Sequence, residues 1–254
     1  MPSTIFGAGR RRARYGFDAP GIMLKLLAAG ASGLAVGAGL FLLAEGRLVL
    51  LAGVLVAASL VPLCLGLSML VYGLLGKHRV RDHMIGLIAW RGDEQVLDIG
   101  TGRGLLLIGA AKRLGRRGQA TGIDVWRSED LSDNSLDRLA ENVGLEGVED
   151  NVALLTQDAR QLSFPDASFD VVLSLFCIHN IESKAEQRQA CREIARVLKP
   201  GGRVLVGEWL PTHAYAEAFR EAGLRVNASR SHFLTALALM WMVDAEKPRV
   251  PAGT

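Results

Sequence analysis

The sequence predicts an α/β domain with a parallel sheet, preceded by a hairpin of two transmembrane helices. Residues 26–44 and 48–76 contain no charged side chain, and about 20 apolar residues are enough to span a bilayer as a helix. From residue 95 onward, short apolar segments alternate with helix-forming segments, the pattern of a parallel sheet with crossover helices. Residues 96–115 join the first of these strands to a helix through a glycine-rich turn.

Composition excludes several classes of function. The chain has 254 residues and a formal net charge of +3, and it lacks the basic, aromatic-laced stripe that nucleic-acid binding requires. Its three cysteines, Cys64, Cys177 and Cys191, do not have the spacing of a metal site or a redox pair. We therefore expect no nucleic-acid partner, no metal and a reduced, cytoplasmic catalytic domain.

The charges beside the apolar runs predict the orientation of the hairpin. Four arginines within residues 10–14 precede the first run, and Lys77, Arg79 and Arg81 follow the second. Positively charged loops stay in the cytoplasm, so the N-terminus and the domain after the hairpin are expected on the cytoplasmic side of the cell membrane. The predicted divisions are a basic N-terminal arm (1–20), the transmembrane hairpin (21–78), a cofactor-binding domain (79–248) and a C-terminal tail (249–254).

Two alternatives to a membrane hairpin are a cleaved signal peptide and a helical pair buried against the soluble domain. The second apolar run would act as a stop-transfer segment after a signal, and uncharged runs of this length disfavour burial in a soluble core. Gly33 and Gly37 have the spacing of a close-packing motif. They would pack on the second helix or on another protomer, so the sequence leaves a homo-oligomer open.

The glycine-rich turn, Gly100-Thr101-Gly102-Arg103-Gly104, distinguishes between cofactors. A dinucleotide fingerprint reads G-x-G-x-x-G, whereas here the third glycine comes one residue early and Leu105 fills its expected place. Asp98 lies two residues before the first glycine, where a carboxylate would repel a pyrophosphate. The same carboxylate suits a cationic amino group. We therefore predict S-adenosylmethionine, which has such a group and no phosphate, over a nicotinamide dinucleotide.

Further polar residues follow the predicted strands. Asp124 ends the second strand, Asp158 follows the third, and Ser174 lies near the end of the fourth. Ligands of open α/β sheets bind outside the carboxyl ends of the strands. These three residues and Asp98 are therefore expected around one cofactor.

Four motifs resemble those of the class I S-adenosylmethionine-dependent methyltransferases, and most closely the group that includes the ubiquinone/menaquinone C-methyltransferases. They are VLDIGTGRG, GIDVW, QDARQLSFPDASFDVV and LKPGG, and the resemblance extends over about residues 82–248. It implies a Rossmann-like, seven-stranded methyltransferase sheet with a reversed last strand. It also implies cofactor contacts, with the methionine part held by Asp98, Gly100, Thr101, Gly102 and Gly104, the ribose by Asp124, the adenine by Asp158 and Ala159, and the adenine face by Val125 and Trp126.

The sequence departs from the family pattern in three places. Residues 126–135 form a longer and more polar link than usual, and are expected to build part of a lid or a substrate wall. Residues 212–222 form one short helix where the family often carries a long insertion. Residues 234–242 are unusually apolar for the reversed strand, and are expected either as a buried strand or as an edge that dips into the membrane.

His179, just past the fourth strand, is the candidate catalytic base. Histidine titrates near neutral pH and could take a proton from a phenol or hydroxyl acceptor. Its alternative roles are to cap the following segment or to pack under the cofactor.

The sequence thus favours a membrane-anchored methyltransferase with a small, lipophilic acceptor such as a quinone, an isoprenoid phenol or a lipid. Tethering raises the effective concentration of a membrane-borne acceptor. One alternative is a methyltransferase of a soluble small molecule or protein, with the hairpin only as a location signal. The other is a non-catalytic membrane scaffold, which would have no need of the glycine turn and its acids.

Overall fold

The computed structural model describes residues 12–43 and 45–249. The sheet strands are β1 Gln95–Ile99, β2 Gln119–Asp124, β3 Val152–Thr156, β4 Phe169–Leu175, β5 Leu198–Glu208, β6 Arg225–Ser231 and β7 Trp241–Glu246. The helices are α1 Pro20–Leu43, α2 Arg47–Val71, α3 Lys77–Gly86, α4 Leu105–Ala111, α5 Leu136–Glu146, α6 Lys184–Val197, α7 His213–Glu221 and α8 Phe233–Ala236. A π-helical turn, Tyr72–Gly76, joins α2 to α3.

The seven strands form one sheet in the order β3-β2-β1-β4-β5-β7-β6. β1 pairs in parallel with β2 and β4, whereas β7 lies antiparallel between β5 and β6. The central strands are apolar and buried because helices cover the sheet. The predicted seven-stranded, Rossmann-like sheet with a reversed last strand is confirmed.

Two helices in the described part of the chain are long and apolar enough to cross a membrane by length and composition. They are α1 and the continuous helix that runs from α2 through the π turn into α3. Glycines let the pair pack closely: a Cβ at Gly30 would lie 2.6 Å from Leu63, and one at Gly37 would lie 2.7 Å from Val56. The small residues predicted to mediate close packing therefore contact α2 of the same chain.

Residues 12–19, here the N-terminal strap, pack against the cofactor-binding domain. The Phe17 backbone N–H donates to Ser132 Oγ (2.8 Å), and the Arg14 N–H donates to Asn142 Oδ1 (3.0 Å). Asp18 forms an isolated antiparallel bridge with Leu131. The strap thus lies over the link of residues 126–135, and the remainder of the predicted arm, residues 1–11, falls outside the described residues.

The expectation of a buried strand over residues 234–242 is wrong for most of that segment. β7 begins only at Trp241, and the residues before it form the short helix α8 and a loop. Leu234 is 86 % exposed and Leu239 is 48 % exposed. β7, which lies between β5 and β6, is continuously buried over residues 242–245, whereas the segment before it exposes large apolar side chains. A smaller difference is that α4 ends at Ala111, short of the end of the strand–turn–helix segment of residues 96–115.

Candidate functional site

A cavity of about 350 Å³ opens at the carboxyl ends of β1, β2 and β4. Its volume lies in the range of about 300–1,000 Å³ that small-molecule sites occupy. The predicted site residues that line it are Gly100, Gly102, Asp124, Val125, Asp158 and Ala159. Asp130 and Leu131, from the link predicted to build a wall, line it as well.

The glycine turn brings the backbone to the cavity. Gly100, Gly102 and Gly104 have φ values of +67°, +52° and +85°, a region that side-chain-bearing residues rarely adopt. A Cβ at Gly100 would overlap the Cys177 side chain, and a Cβ at Gly102 would lie 2.8 Å from Leu131. Both the backbone conformation and the lack of space therefore require glycine here.

Asp98 is a buried carboxyl group beneath this turn. It is 2 % exposed, and its Oδ2 accepts hydrogen bonds from Thr101 Oγ1 (2.8 Å) and the Leu107 N–H (3.0 Å). Burial raises the pKa of Asp98 to about 7, although both hydrogen bonds favour the charged form. Within the described residues no basic side chain forms an ion pair with it, so its charge has no cationic partner in the protein.

Asp124 ties the end of β2 to the glycine turn. Its Oδ2 accepts a hydrogen bond from the Gly102 N–H (2.8 Å), and its Oδ1 accepts one from the Trp126 N–H (2.7 Å). The carboxylate is nearly buried but still reaches the cavity wall. It can therefore hold the turn and present oxygen lone pairs to ligand hydroxyls.

Asp158 forms an ion pair with Arg160. The Arg160 guanidinium donates to Asp158 Oδ2 at 2.6 Å, and Glu186 accepts from the other end of the guanidinium at 2.7 Å. Hydrogen bonds from Arg160 lower the pKa of Asp158, so the group is a carboxylate at neutral pH. All three side chains border the cavity, which sequence reasoning had expected of Asp158 alone.

Five residues predicted to contact the cofactor lie outside the cavity lining, namely the buried Asp98 together with Thr101, Gly104, Trp126 and Ser174. Thr101 turns its hydroxyl inward and donates to Asp98, and Gly104 ends the turn as the residue before α4. The Trp126 indole N–H donates to Thr156 Oγ1 (2.8 Å). The backbone of Trp126 has a φ of +60°. Ser174 is fully buried in β4, and its hydroxyl has no hydrogen-bond partner.

His179 lies on a 3-10 turn directly after β4 and pairs with Glu208 at the end of β5. Its Nδ1 is 2.6 Å from Glu208 Oε2, and its imidazole is mostly buried, with an edge-to-face contact to Trp209. Glu208 is fully buried and also accepts the Ile178 N–H at 2.8 Å. An Nδ1–H that donates to this carboxylate leaves Nε2 as the proton acceptor.

Sequence reasoning missed Asp18, Asp130 and Glu208. Asp18 and Asp130 line the cavity, and burial raises the pKa of each carboxyl against the opposing charge of Lys77 at Asp18 and of Arg127 at Asp130. Glu208 had a recognisable signal, since it is the one charged residue in the apolar run of residues 204–210. Asp18 had none, because it is 82 positions from Gly100 in the sequence.

The residues present fit S-adenosylmethionine. The glycine turn brings its backbone to the cavity wall at Gly100 and Gly102, and the unpaired Asp98 beneath the turn suits a cationic amino group. Asp124 offers acceptors to ribose hydroxyls. The basic side chain of the glycine turn is Arg103. Its guanidinium donates to the Ser132 carbonyl (3.4 Å), so it is not directed at a pyrophosphate in the cavity.

Comparisons with known proteins agree with this fit. Residues 96–202 match the family model described as "Methyltransferase domain". The chain is 36 % identical over 183 residues to the ubiquinone/menaquinone biosynthesis C-methyltransferase UbiE of Pseudomonas entomophila (strain L48), with 67 % of this chain and 68 % of that protein covered. It is 34 % identical over 156 residues to the 27-O-demethylrifamycin SV methyltransferase of Amycolatopsis mediterranei (strain S699), with 59 % of this chain and 53 % of that protein covered.

The fold, the site and these relatives define an S-adenosylmethionine-dependent methyltransferase. The chain belongs to the class I family of these enzymes, and it spans between about half and two thirds of the length of the two relatives.

Solved structures share the fold. The [4+2]-cyclase SpnF superposes with a TM-score of 0.56 at 21 % identity, over 68 % of this chain and 82 % of that one. Geranyl diphosphate methyltransferase in complex with S-adenosylmethionine gives a TM-score of 0.55 at 11 % identity, over 67 % of this chain and 85 % of that one. At these identities the likeness concerns the fold alone.

Proposed function

We propose that the protein is a membrane-anchored methyltransferase that acts on a small, lipophilic acceptor such as a quinone, an isoprenoid phenol or a lipid. In this proposal α1 and α2 cross the cytoplasmic membrane, with the N-terminus and the catalytic domain in the cytosol. The observation that carries the proposal is the position of the cavity at the base of the hairpin. Tyr72, in the π turn, stacks against Phe176 with ring centroids 5.0 Å apart, and Phe176 lines the cavity directly after β4.

The π turn and Phe176 both have unusual backbone conformations. π-Helical turns are rare and are frequently found at functional sites, and Phe176 has a φ of +53°, which costs on the order of 1–3 kcal/mol for such a residue. Phe17 of the strap packs against Gly73 in the same turn. The end of the hairpin therefore packs behind Phe176, which lines the cavity, and an acceptor that arrives from the bilayer would enter beside it.

The residues of the chain would chiefly bind and orient the reactants. S-Adenosylmethionine supplies an activated methyl group on a sulfonium. Asp98 would hold its amino group, the backbone of the glycine turn its methionine part, and Asp124 its ribose hydroxyls. The adenine would lie against Val125 and Ala159, and the ion-paired Asp158 would accept from its amino group. Correct positioning of donor and acceptor can supply several kcal/mol of the rate enhancement.

His179 would be the general base for an acceptor that must lose a proton. Glu208 would fix the imidazole and stabilise its cationic form after proton uptake, as the acid does in other histidine–carboxylate pairs. Since Glu208 acts through His179, it is a positioning residue. Trp126 and Ser174, as placed here, would shape the site from behind its lining.

The proposal includes a homo-oligomer through the transmembrane helices only at the face of the hairpin that does not form the contact between α1 and α2. Gly33 and Gly37 contact α2 of the same chain, whereas among the described residues no atom lies within 4 Å of a Cβ position at Gly39 or Gly53. A second copy would therefore pack on that free face.

The test is to incubate the full-length protein, in nanodiscs, with labelled S-adenosylmethionine and either a total lipid extract or an aqueous metabolite extract. We expect labelled product in the lipid extract, identified by mass, and about tenfold less or lower still with the Asp98→Asn variant at subsaturating S-adenosylmethionine. Product from the aqueous extract alone would contradict a lipophilic acceptor and favour the hairpin as a location signal. Absence of product from both extracts, with cofactor binding intact, would favour the scaffold.

A further inference from the structure

Five large apolar side chains are exposed on the loops that follow β5 and β6. We name them the apolar rim, and their exposed fractions run from 42 % to 86 %. The members of the rim are Trp209, Leu210, Phe233, Leu234 and Leu239. Contiguous exposed apolar patches on protein surfaces mark protein, ligand or membrane interaction sites.

The strand register places the rim at the same edge of the sheet as the active site. Trp241, the first residue of β7, pairs with Glu208 at the end of β5 and with Ser231 at the end of β6. The residues that follow Glu208 and those between Ser231 and Trp241 therefore leave the sheet at its carboxyl edge. Trp209 touches the His179 ring, with centroids 5.8 Å apart, so the rim begins beside the candidate base.

A contact with the helical hairpin places the rim beside the end of the uncharged run. The Ala236 carbonyl of α8 lies so close to Gly76 that a Cβ there would overlap it. Gly76 is the last residue of the uncharged run, and Leu74 and Leu75 just before it are 56 % and 59 % exposed. The exposed apolar surface of the hairpin therefore continues directly into α8 and Leu234.

The surroundings of the rim have the composition of a membrane interface. Arg230 is exposed three residues before Phe233, and Arg79 is exposed three residues after Gly76; no acidic residue occurs between Glu221 and Asp244. Phe233 packs edge-to-face on Trp241 with centroids 5.2 Å apart, and tryptophan is enriched at the headgroup level of membranes. Basic residues above an apolar face favour an anionic bilayer surface.

We propose that the apolar rim inserts into the headgroup and acyl boundary of the bilayer that the hairpin crosses. This inference rests on the proposed function, because it requires α1 and α2 to span a membrane. The rim is then a second, monotopic contact that holds the carboxyl edge of the sheet against the membrane. In this arrangement the side of the cavity near His179 faces the lipid surface. A lipophilic acceptor would then reach the site without crossing water. The occupant of the rim is lipid.

The test measures depth with nitroxide labels on the full-length protein in nanodiscs of phosphatidylcholine and phosphatidylglycerol. The background is Cys64→Ser with Cys177→Ser, which leaves only the buried Cys191. One label is placed at Leu234→Cys, where the native side chain is almost fully exposed. The matched control is Arg117→Cys, an exposed position just before β2 at the opposite, amino edge of the sheet. A third label on the native Cys64 of α2, with only Cys177 replaced, reports on the hairpin.

The readout is the collision rate of each label with dioxygen, which concentrates in lipid, relative to a water-soluble nickel chelate. We expect the ratio at Leu234 to lie between that at Cys64 and that at Arg117, at a depth of about 5–10 Å. A ratio at Leu234 equal to that at Arg117, with Cys64 still in lipid, overturns the rim proposal and leaves the anchor intact. Cys64 in water overturns the anchor. Spin–spin broadening at a water-exposed Leu234 label identifies a second copy of the chain as the occupant and also overturns the proposal.

Discussion

Replacement of Asp98 by asparagine separates the charge of this group from its structural hydrogen bonds. Both bonds converge on a single oxygen, since Thr101 Oγ1 and the Leu107 N–H donate to Oδ2. The amide oxygen of asparagine can accept the same two bonds. The variant therefore keeps the supports of the glycine turn and loses the negative charge offered to the amino group of the cofactor.

The expected loss of affinity follows from that charge. Removal of one partner of a charge-assisted hydrogen bond costs about 1.5–3 kcal/mol, and about 1.4 kcal/mol corresponds to a tenfold change in affinity. We expect S-adenosylmethionine to bind Asp98→Asn about 10- to 150-fold more weakly, measured by calorimetry in detergent at pH 7.5. Asp150→Asn, at an exposed position far from the cavity, is the matched control and should bind like the wild type.

The pH dependence supplies a second, independent readout. With a pKa of about 7 in the unliganded protein, Asp98 takes up a proton as the pH falls. The wild-type affinity should therefore fall by nearly tenfold per pH unit below 7, and the Asp98→Asn affinity should lack this component.

The same pKa predicts an opposite effect on stability. The carboxyl pKa is raised from 3.8 to about 7, so ionisation of Asp98 in the unliganded fold costs on the order of 4 kcal/mol. Stability linked to this group is present at low pH and is lost as the pH rises through 7. Unliganded Asp98→Asn should melt at a higher temperature than the wild type at pH 8, and the difference should narrow toward pH 5. Unchanged cofactor affinity together with an unchanged pH profile would refute the role given to this carboxyl.

Three further substitutions test other parts of the site and the hairpin. His179→Ala should lower kcat by about 10²- to 10⁴-fold at unchanged S-adenosylmethionine affinity; weaker cofactor binding with normal turnover at saturation would assign the histidine to the cofactor wall. Gly104→Ala places a Cβ at a backbone φ of +85° and 2.5 Å from Leu139. The melting temperature should therefore fall by the equivalent of at least about 1–2 kcal/mol. An unchanged melting curve would contradict the geometry of the turn. Gly30→Val should separate α1 from α2 and lower stability in detergent by about 1–3 kcal/mol, whereas Gly39→Val, on an open face, should not; equal effects of the two would contradict the packing of the hairpin.

The central sheet was predictable because its signals are local. The observed β1, at Gln95–Ile99, and β3, at Val152–Thr156, coincide with apolar runs that end at a glycine or a polar residue. The turn after β1 follows from the glycine spacing alone. Positions with φ above zero carry glycine because other residues are strained there, so the cofactor loop is visible in the sequence itself.

The segment before β7 was not predictable by the same reasoning. A run such as residues 233–240 predicts burial only if the apolar side chains face a protein core. Here Leu234 faces outward, and the chain turns into α8 because β7 pairs on both sides only from Trp241 onward. Hydropathy reports the preference for an apolar environment and does not identify whether protein or lipid supplies it.

Asp18 shows a second reason why local patterns leave the site incomplete. The residue reaches the cavity because the strap is fixed by partners distributed over the whole domain, including Ser132 and Asn142. None of these contacts is periodic or close in sequence. A group recruited by such tertiary contacts carries no local signature, whereas Glu208 could be suspected as a lone acid within an apolar strand.

The strap also makes the hairpin and the cofactor site one structural unit. Lys77, the first charged residue after the apolar run, is buried and donates from Nζ to the backbone carbonyls of Tyr15 (3.1 Å) and Gly16. The strap therefore lies between the helical base and the cavity that Asp18 lines. Deletion of residues 1–76 would remove Asp18 and Tyr72 together with the two apolar helices. Loss of activity in that truncation would consequently say nothing about where the acceptor resides. The labelling experiments on the full-length protein keep the strap and the hairpin in place, and they address the position of the site relative to the membrane directly.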